Sequence, residues 1–569
     1  MWQLTKMLVD ERRHNMLRQA QQSRHVRQAR TAPRRRRSLD REMDPDTAYR
    51  KRWATLGVLC LSLLVIGLDN TILNVALPTL SRDLAASDSQ LQWIVDAYTL
   101  VFAGLLLTAG SLGDRLGRRR ALGFGLVVFA GGSLWAAWSA SPGELMAARG
   151  VMGAGAAFIM PSTLSVLTNS FRDPAERTKA IGIWAAVSGI GIVLGPACGG
   201  WLLEHFWWGS VFLVNVPVTM GALVAARWLV PESRDPSAPR TDWVGAALSI
   251  GGLAALVWAI IEAPSKGWTS EPVLLGFTAA TALLSAFVDW ERRTPQPMLD
   301  LSFLSSARFS AAAVSVTLVF FALFGSVFFL SQYLQFVLGY TPLESGVRVT
   351  PVATLIVGAP LAVLLARRTG DKLVVTAGLA LVSASLLLLA TTSETDGYGH
   401  VVVVLVLLGL GIGLTMTPAT DAVMGSLPVT KAGVGSAMND TTRQVGGALG
   451  VAVLGSVLSS AYASHLGSDG TPVPDRADDG IGAALRIADQ LPGASGAALS
   501  DAARTAFLHG MSIASLVAAG VAAAGAVVAL VWLPARAPVP APDVIELPRP
   551  GPALDVDSER PLELTRTDA

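Results

Sequence analysis

The chain has 569 residues, 51% of them hydrophobic and 15% charged, with a mean hydropathy of +0.49 and a formal net charge of +2. Soluble domains carry roughly 25% charged residues, so this composition excludes an ordinary soluble enzyme or binding domain and indicates repeated passage through a membrane. Six histidines and two cysteines (Cys60 and Cys198, both inside apolar runs) leave little material for a metal cluster or disulfide framework.

Residues 1–52 are polar and arginine-rich, with the run Arg34–Arg37 and no apolar stretch able to serve as a signal-peptide core. They read as a basic, disordered cytoplasmic tail; an arm for anionic lipid or nucleic acid is the alternative, and no nucleic-acid partner is expected. Met43-Asp-Pro-Asp reads as a second possible translation start. From Trp53 onward, apolar segments recur at the length of about 20 residues that crosses about 30 Å of hydrocarbon. The expected spans are 53–79, 91–112, 119–139, 144–169, 178–203, 208–230, 243–262 and 272–290, then 308–336, 346–367, 373–392, 400–424, 434–462 and 507–533. That count is fourteen. Loop 463–505, rich in Gly, Ala and Asp, is expected to be only partly ordered, and residues 534–569 read as a disordered tail.

Positive charge tests the count independently, because cationic loops resist translocation. Arg172, Arg177 and Lys179, then Arg234 and Arg240, then Arg292 and Arg293, then Arg367, Arg368 and Lys372 all fall in segments of one sidedness. The short segments of the other sidedness hold little more than Arg82 and Lys266. An even span number with both termini cytoplasmic is expected.

Between spans 2 and 3 lies Gly110-Ser-Leu-Gly-Asp-Arg-Leu-Gly-Arg-Arg-Arg-Ala-Leu122. Gly113 and Gly117 remove side chains where two helices turn back closely, and Asp114 sets one acid among Arg115, Arg118, Arg119 and Arg120. The plain reading is a positive-inside hairpin. The pattern also resembles the signature loop of the major facilitator superfamily. Leu365-Ala-Arg-Arg-Thr-Gly-Asp-Lys372, between spans 10 and 11, stands where a second copy would fall if the chain were duplicated. Six spans, two inserted spans and six more would place a substrate site between the halves near the midplane.

Asp69, in Gly67-Leu-Asp-Asn-Thr-Ile-Leu-Asn-Val-Ala-Leu-Pro78, is an acid at membrane depth. Such groups usually face a cavity or a partner, and burial disfavours their charged form, which makes Asp69 a candidate proton carrier. Its structural alternative is a hydrogen bond to Asn70, Thr71 or Asn74. The stretch resembles the span 1 signature of fourteen-span drug:proton antiporters. Asp96, in Gln92-Trp-Ile-Val-Asp-Ala-Tyr-Thr-Leu100, is a second intramembrane acid, with Trp93 and Tyr98 readable as interface anchors. It either caps the end of span 2 or binds a proton and an organic cation in turn. This stretch resembles the QacA-type branch of the family, which exports lipophilic cations.

Arg149 lies in Leu145-Met-Ala-Ala-Arg-Gly-Val-Met-Gly-Ala-Gly-Ala-Ala157; it cannot shed its proton and so requires an acceptor. The run resembles the superfamily's span 4 motif, whose arginine is implicated in proton coupling, and departs from it at Met152. Span 5 carries Gly191-Ile-Val-Leu-Gly-Pro-Ala-Cys-Gly-Gly200. Gly195 and Pro196 interrupt regular helix while Gly191, Gly199 and Gly200 thin one face for close packing. It resembles the antiporter motif associated with export. Trp207-Trp-Gly-Ser-Val-Phe-Leu-Val-Asn-Val-Pro217 is similar to the family's span 6 start, and Gly435-Ser-Ala-Met-Asn-Asp-Thr-Thr-Arg-Gln-Val-Gly-Gly447 to its span 13.

Glu262, Asp421, Asp440 and Arg443 are further ionisable residues in or bordering spans; Asp440 and Arg443, three apart, can pair on one helix face. Phe320, Phe321, Phe324, Phe328, Phe329 and Gln332 of span 9 line either a drug cavity or the lipid surface. Thr350-Pro-Val-Ala-Thr-Leu-Ile356 lacks the acid that some QacA-type proteins carry in span 10, so divalent cations are not expected as strong ligands.

The residues describe an all-α polytopic membrane protein, with no nucleotide loop, metal cluster or nucleophile elbow in the sequence. The resemblance implies a major facilitator fold of fourteen transmembrane helices arranged 6+2+6. Its expected parts are a six-helix bundle over 53–230, an inserted pair over 231–307 and a second bundle over 308–533. It further implies a monomer in the bacterial plasma membrane, without cofactor or metal, that exports hydrophobic or cationic drugs against protons by alternating access. Export of one endogenous metabolite is the alternative.

Overall fold

The computed structural model describes residues 49–171, 173–234, 241–394, 396–426, 432–468 and 472–534. The Arg34–Arg37 run, Met43, Arg172, Arg240 and the tail beyond Pro534 lie outside the described residues. Among the described residues, fourteen helices are long and apolar enough to cross a membrane. They are α1 Arg52–Asp83, α2 Asp88–Leu116, α3 Arg118–Ala137, α4 Pro142–Ser170, α5 Pro174–His205, α6 Ser210–Leu229 and α7 Trp243–Lys266. The rest are α8 Glu271–Arg293, α9 Ala307–Val337, α10 Pro342–Thr369, α11 Asp371–Ala390, α12 Tyr398–Gly425, α13 Ala432–His465 and α14 Ala494–Trp532. The helices start where polar caps meet apolar runs. Ser87 and Gln90 form a reciprocal capping box on α2, Thr341 and Glu344 do the same on α10, and Ser141 caps α4.

Expected and observed spans agree within about one helical turn, with one exception. α14 begins at Ala494, far ahead of residue 507, and a short helix Ile481–Ala488 precedes it. The stretch expected to be only partly ordered is therefore largely helical. Its Ala-rich sequence favours helix, while Asp501 and Arg504 lower the hydropathy by which a span is recognised.

α1–α6 pack on one another, as do α9–α14; α7 and α8 form a hairpin whose α7 lies against both α2 and α13. Gly117 (φ +122°) alone joins α2 to α3, and Gly370 (φ +85°) alone joins α10 to α11. A side chain is strained at either angle, so the two basic turns share a backbone device as well as a sequence likeness. We call the end of the molecule that carries both turns the basic end.

The halves meet most closely at the far end. Gln335 Nε2, in the π-helical last turn of α9, donates to Val75 O of α1 at 2.9 Å. Arg486 of the short helix donates to Ser81 O at the end of α1, and Gly482 lies against Ser81 and Phe336. On α5, Gly200 faces the Pro342–Leu343 backbone of α10, and Gly346 of α10 faces Pro196 O. Approaches this close exclude a Cβ, the usual basis of helix contact in lipid, where no hydrophobic drive exists between helices. Toward the basic end α5 parts from α10: a Cβ at Gly189 or Gly182 would meet nothing within 4 Å. Gly200→Val, whose Cβ would stand 2.5 Å from Leu343 Cα, is expected to pry the far end open. The check is maleimide labelling of a Gln335→Cys variant, which should accelerate about tenfold; an unchanged rate contradicts this role for Gly200.

Candidate functional site

Asp69 and Arg149, read separately in the sequence, form one buried ion pair. Arg149 Nη1 stands 2.5 Å from Asp69 Oδ2, and the two side chains are 1% and 0% exposed. Asn215 Nδ2 of α6 donates to the other carboxylate oxygen at 2.9 Å. Arg149 Nε donates to Ile94 O of α2 at 3.2 Å, and its guanidinium lies 4.3 Å from the Tyr98 ring centroid. Four helices thus converge on one charge pair. α4 is thinned where this happens: Gly153 lies against the Tyr98 backbone, and Gly155 against Gly125 and Phe129 of α3. Asp69 does not take its expected partners, because Thr71 Oγ1 bonds back to Gly67 O and Leu68 O, and Asn74 Nδ2 to Asn70 O. Tyr98 is fully buried beneath Arg149 and is no interface anchor. Asn215 stood in the quoted span 6 stretch without a role; a lone amide offers no signal until its partner is known.

Asp96 is not an end cap, since Ser87 caps α2 and Asp96 lies more than two turns inside the helix. It is fully buried; Thr99 Oγ1 lies 3.4 Å from its Oδ1, while Oδ2 has no hydrogen-bond partner among the described residues. Its face of α2 is marked by Gln92 one turn before and Leu100 one turn after, both of which meet α13. At Gln92, Ser456 Oγ of α13 donates to Ile260 O of α7 at 2.7 Å and lies 3.5 Å from Gln92 Oε1, while Gln92 Nε2 is left without a partner. Turning that amide over would let Nε2 donate to the serine oxygen. The node ties α2, α13 and α7 together one turn from Asp96.

At the basic end, Arg118 Nε pairs with Asp114 Oδ1 at 2.6 Å. The turn's other partner is Glu232, just after α6, which no sequence pattern marked. Its carboxylate accepts from the backbone N–H of Arg119 and of Ser233, each at 3.2 Å, and lies within 4 Å of Arg119 Nε and Arg120 Nε. It fills the space beside Gly117 where a Cβ would stand. A Cβ at Gly113 would stand 3.1 Å from Ala121 Cβ and one at Gly110 3.4 Å from Pro161 Cβ, while Arg115 is exposed. These contacts all lie within one half.

On α5, Gly191, Gly195 and Gly199 lie along α1, against Leu64 O, Leu68 O and Ile72 O, each 3.1 Å from the Cβ position. Gly200 and Pro196 turn to α10, as described above. This helix is therefore seated on α1, one turn from Asp69, and closes the far end with its other face. Asp440 and Arg443 pair at 3.6 Å, and Arg443 also lies 5.6 Å from the Phe320 ring. Glu262 pairs with Lys266 at 3.1 Å near the far end of α7. Asp421 opens on a pocket of about 210 Å³ with Asp371 and Arg367 at the basic end. Phe320, Phe321, Phe328, Phe329 and Gln332 are buried in helix packing rather than facing lipid, with Phe324 half-buried and stacked on Phe320. Among the described residues no group of three or more His, Cys, Asp or Glu is placed to hold a metal.

A family model described as the Major Facilitator Superfamily matches residues 59–451. The multidrug efflux pump LfrA of Mycolicibacterium smegmatis is 39% identical over 483 residues, covering 84% of this chain and 95% of that protein. The tetracenomycin C resistance and export protein of Streptomyces glaucescens is 36% identical over 521 residues, 89% of this chain and 96% of its own. The methyl viologen resistance protein SmvA of Salmonella typhimurium is 34% identical over 477 residues, 82% and 94% of the two chains. Among solved structures, an inward-facing, unoccupied bacterial homolog of the human lysosomal transporter Spinster superposes with a TM-score of 0.61 at 18% identity, over 86% of this chain and 99% of that one. That last likeness shows the fold alone. Fourteen spans, the basic turn, the glycine-seated α5 and these matches together make the chain a multi-pass membrane transporter of the Major Facilitator Superfamily, not an enzyme.

Proposed function

We propose that the protein exports hydrophobic, cationic drugs from the cytoplasm in exchange for protons, by alternating access. The observation that carries this reading is a buried carboxylate without a cation, Asp96, beside a buried pair, Asp69–Arg149, that already satisfies its own charges. An unpaired anion in a dry site is costly, so Asp96 needs either a proton or a bound cation. Those two occupants exclude each other, which is the chemistry of exchange. Asp69 and Arg149 position α2, since Arg149 holds the Ile94 carbonyl and underlies Tyr98.

The positive-inside distribution places the basic end and both termini in the cytoplasm, and the bacterial relatives point to the plasma membrane. On that orientation the described conformation is closed outside and parted inside. The transporter works as a monomer, without cofactor or metal, and is driven by the proton gradient; one charge moved across 100 mV is worth about 2.3 kcal/mol. Rocking of the halves would carry the Asp114–Arg118 turn, together with Glu232, toward the opposing half and lock the inner face.

Ethidium efflux from energised cells tests the reading. Wild-type efflux should stop with a protonophore, and Asp96→Asn should abolish coupled efflux while the protein inserts normally. If wild type inserts but moves no ethidium, the broad reading fails and dedicated export of one metabolite replaces it. The pair has a separate signature in stability. Arg149→Ala, which strands a buried carboxylate, is expected to cost about 3–5 kcal/mol, and Asp69→Asn combined with Arg149→Met distinctly less. Thermal unfolding in detergent reads the difference; equal losses would show that the two side chains do not act as a pair.

A further inference from the structure

The inserted hairpin has no part in the exchange chemistry, yet its position is specific. Two seams run between the halves, α2 against α13 and α5 against α10. In the apolar stretches of α2 and α13, 67% of the residues are buried, whereas in those of α5 and α10 18% and 22% are. α7 contributes to the difference, beside the packing of α2 on α4 and of α13 on α9. Ile250 sits in the notch left by Gly104 of α2, and Val257, Ile260 and Ile261 pack with Leu100 of α2 and with Ala448 and Ala452 of α13. Ser456 Oγ donates to Ile260 O, so the cover is hydrogen-bonded as well as packed. Below it, Thr108 Oγ1 meets Met298 Sδ of the following linker at 3.3 Å.

The other seam has no such cover. On the α5 face that meets α10 at Pro196 and Gly200, the residues that follow toward the basic end are Gly189, Ala185 and Gly182. Nothing lies within 4 Å of a Cβ at either glycine, and Ala185 is exposed. On α10, Val357 and Leu364, which follow Gly346 toward the basic end, are 61% and 53% exposed. The wall of the gap is small or apolar on both sides.

We infer that the α7–α8 hairpin is a lateral seal over the α2–α13 seam, and that the uncovered α5–α10 seam is the portal by which a bilayer-dissolved, lipophilic substrate reaches the space between the halves. Entry from the membrane is thereby one-sided. This rests on the export reading for its substrate class, but the seal is a property of the packing and is tested apart from it.

The first measurement is the rate at which a maleimide dissolved in the bilayer labels single cysteines in reconstituted protein carrying Cys60→Ala and Cys198→Ala. An Ala185→Cys variant should react at least about tenfold faster than a Leu100→Cys variant. Adding Gly104→Leu, which displaces Ile250, should raise the Leu100→Cys rate toward that of Ala185→Cys. Equal rates in the two single variants, or no response to Gly104→Leu, overturn the seal whether or not the protein exports ethidium. The second measurement is ethidium export by the Ala185→Cys variant bearing a sulfonatoethyl adduct. A portal predicts a severalfold rise in KM with Vmax nearly unchanged, and no change for the same adduct on a Leu275→Cys variant of lipid-facing α8. A fall in Vmax with KM unchanged, or an equal rise from the α8 adduct, overturns the portal. Absence of wild-type export sinks the functional reading alone, and the labelling rates still decide the seal.

Discussion

An arginine inside a membrane helix cannot become neutral, so the protein must build an acceptor around it. Arg149 sets that requirement for the N-terminal half. Asp69 supplies the charge, Asn215 steadies the carboxylate, and the Ile94 carbonyl and Tyr98 ring take the rest of the guanidinium. Each partner comes from a different helix, so α1, α2, α4 and α6 are registered against one another by one satisfied network. A hydrophobic contact could not do this in lipid, where apolar surfaces gain nothing by leaving a solvent that is already apolar.

What remains for helix association is close packing, and glycine provides it. α5 lies on α1 through Gly191, Gly195 and Gly199 while Gly200 and Pro196 meet α10. One helix therefore connects the ion-pair helix to the contact that shuts the far end. The short helix Ile481–Ala488 adds a second far-end tie through Arg486 and Ser81, from a segment covalently attached to the opposite half.

Asp96 belongs to a different environment from Asp69, although both are buried acids of the same bundle. It lies at the seam between the halves, one turn from the node of Gln92, Ser456 and Ile260, rather than inside one half. A group at a seam experiences a different environment in each conformation, whereas a group within a rigid half does not. In the proposed function, exchange therefore falls to Asp96 and positioning to Asp69. α7 packs over the α2–α13 seam beside the same stretch of α2, where the proposed seal would lie next to this acid.

The sequence by itself determined the fourteen apolar spans, the two glycine turns and the candidate acids and arginine, because each depends on a local property: hydropathy over about 20 residues, a positive φ, or a charge where none is cheap. Asp440 and Arg443 were legible for the same reason, being three apart on one helix. Only the tertiary structure decided that Asp69 pairs with Arg149, 80 residues away, that Asn215 and Glu232 complete two charge networks, and that Tyr98 is buried. It alone placed α7 on one seam and not the other. Helical periodicity tells which residues share a face but not which helix that face will meet, and every one of these facts is a choice of neighbour.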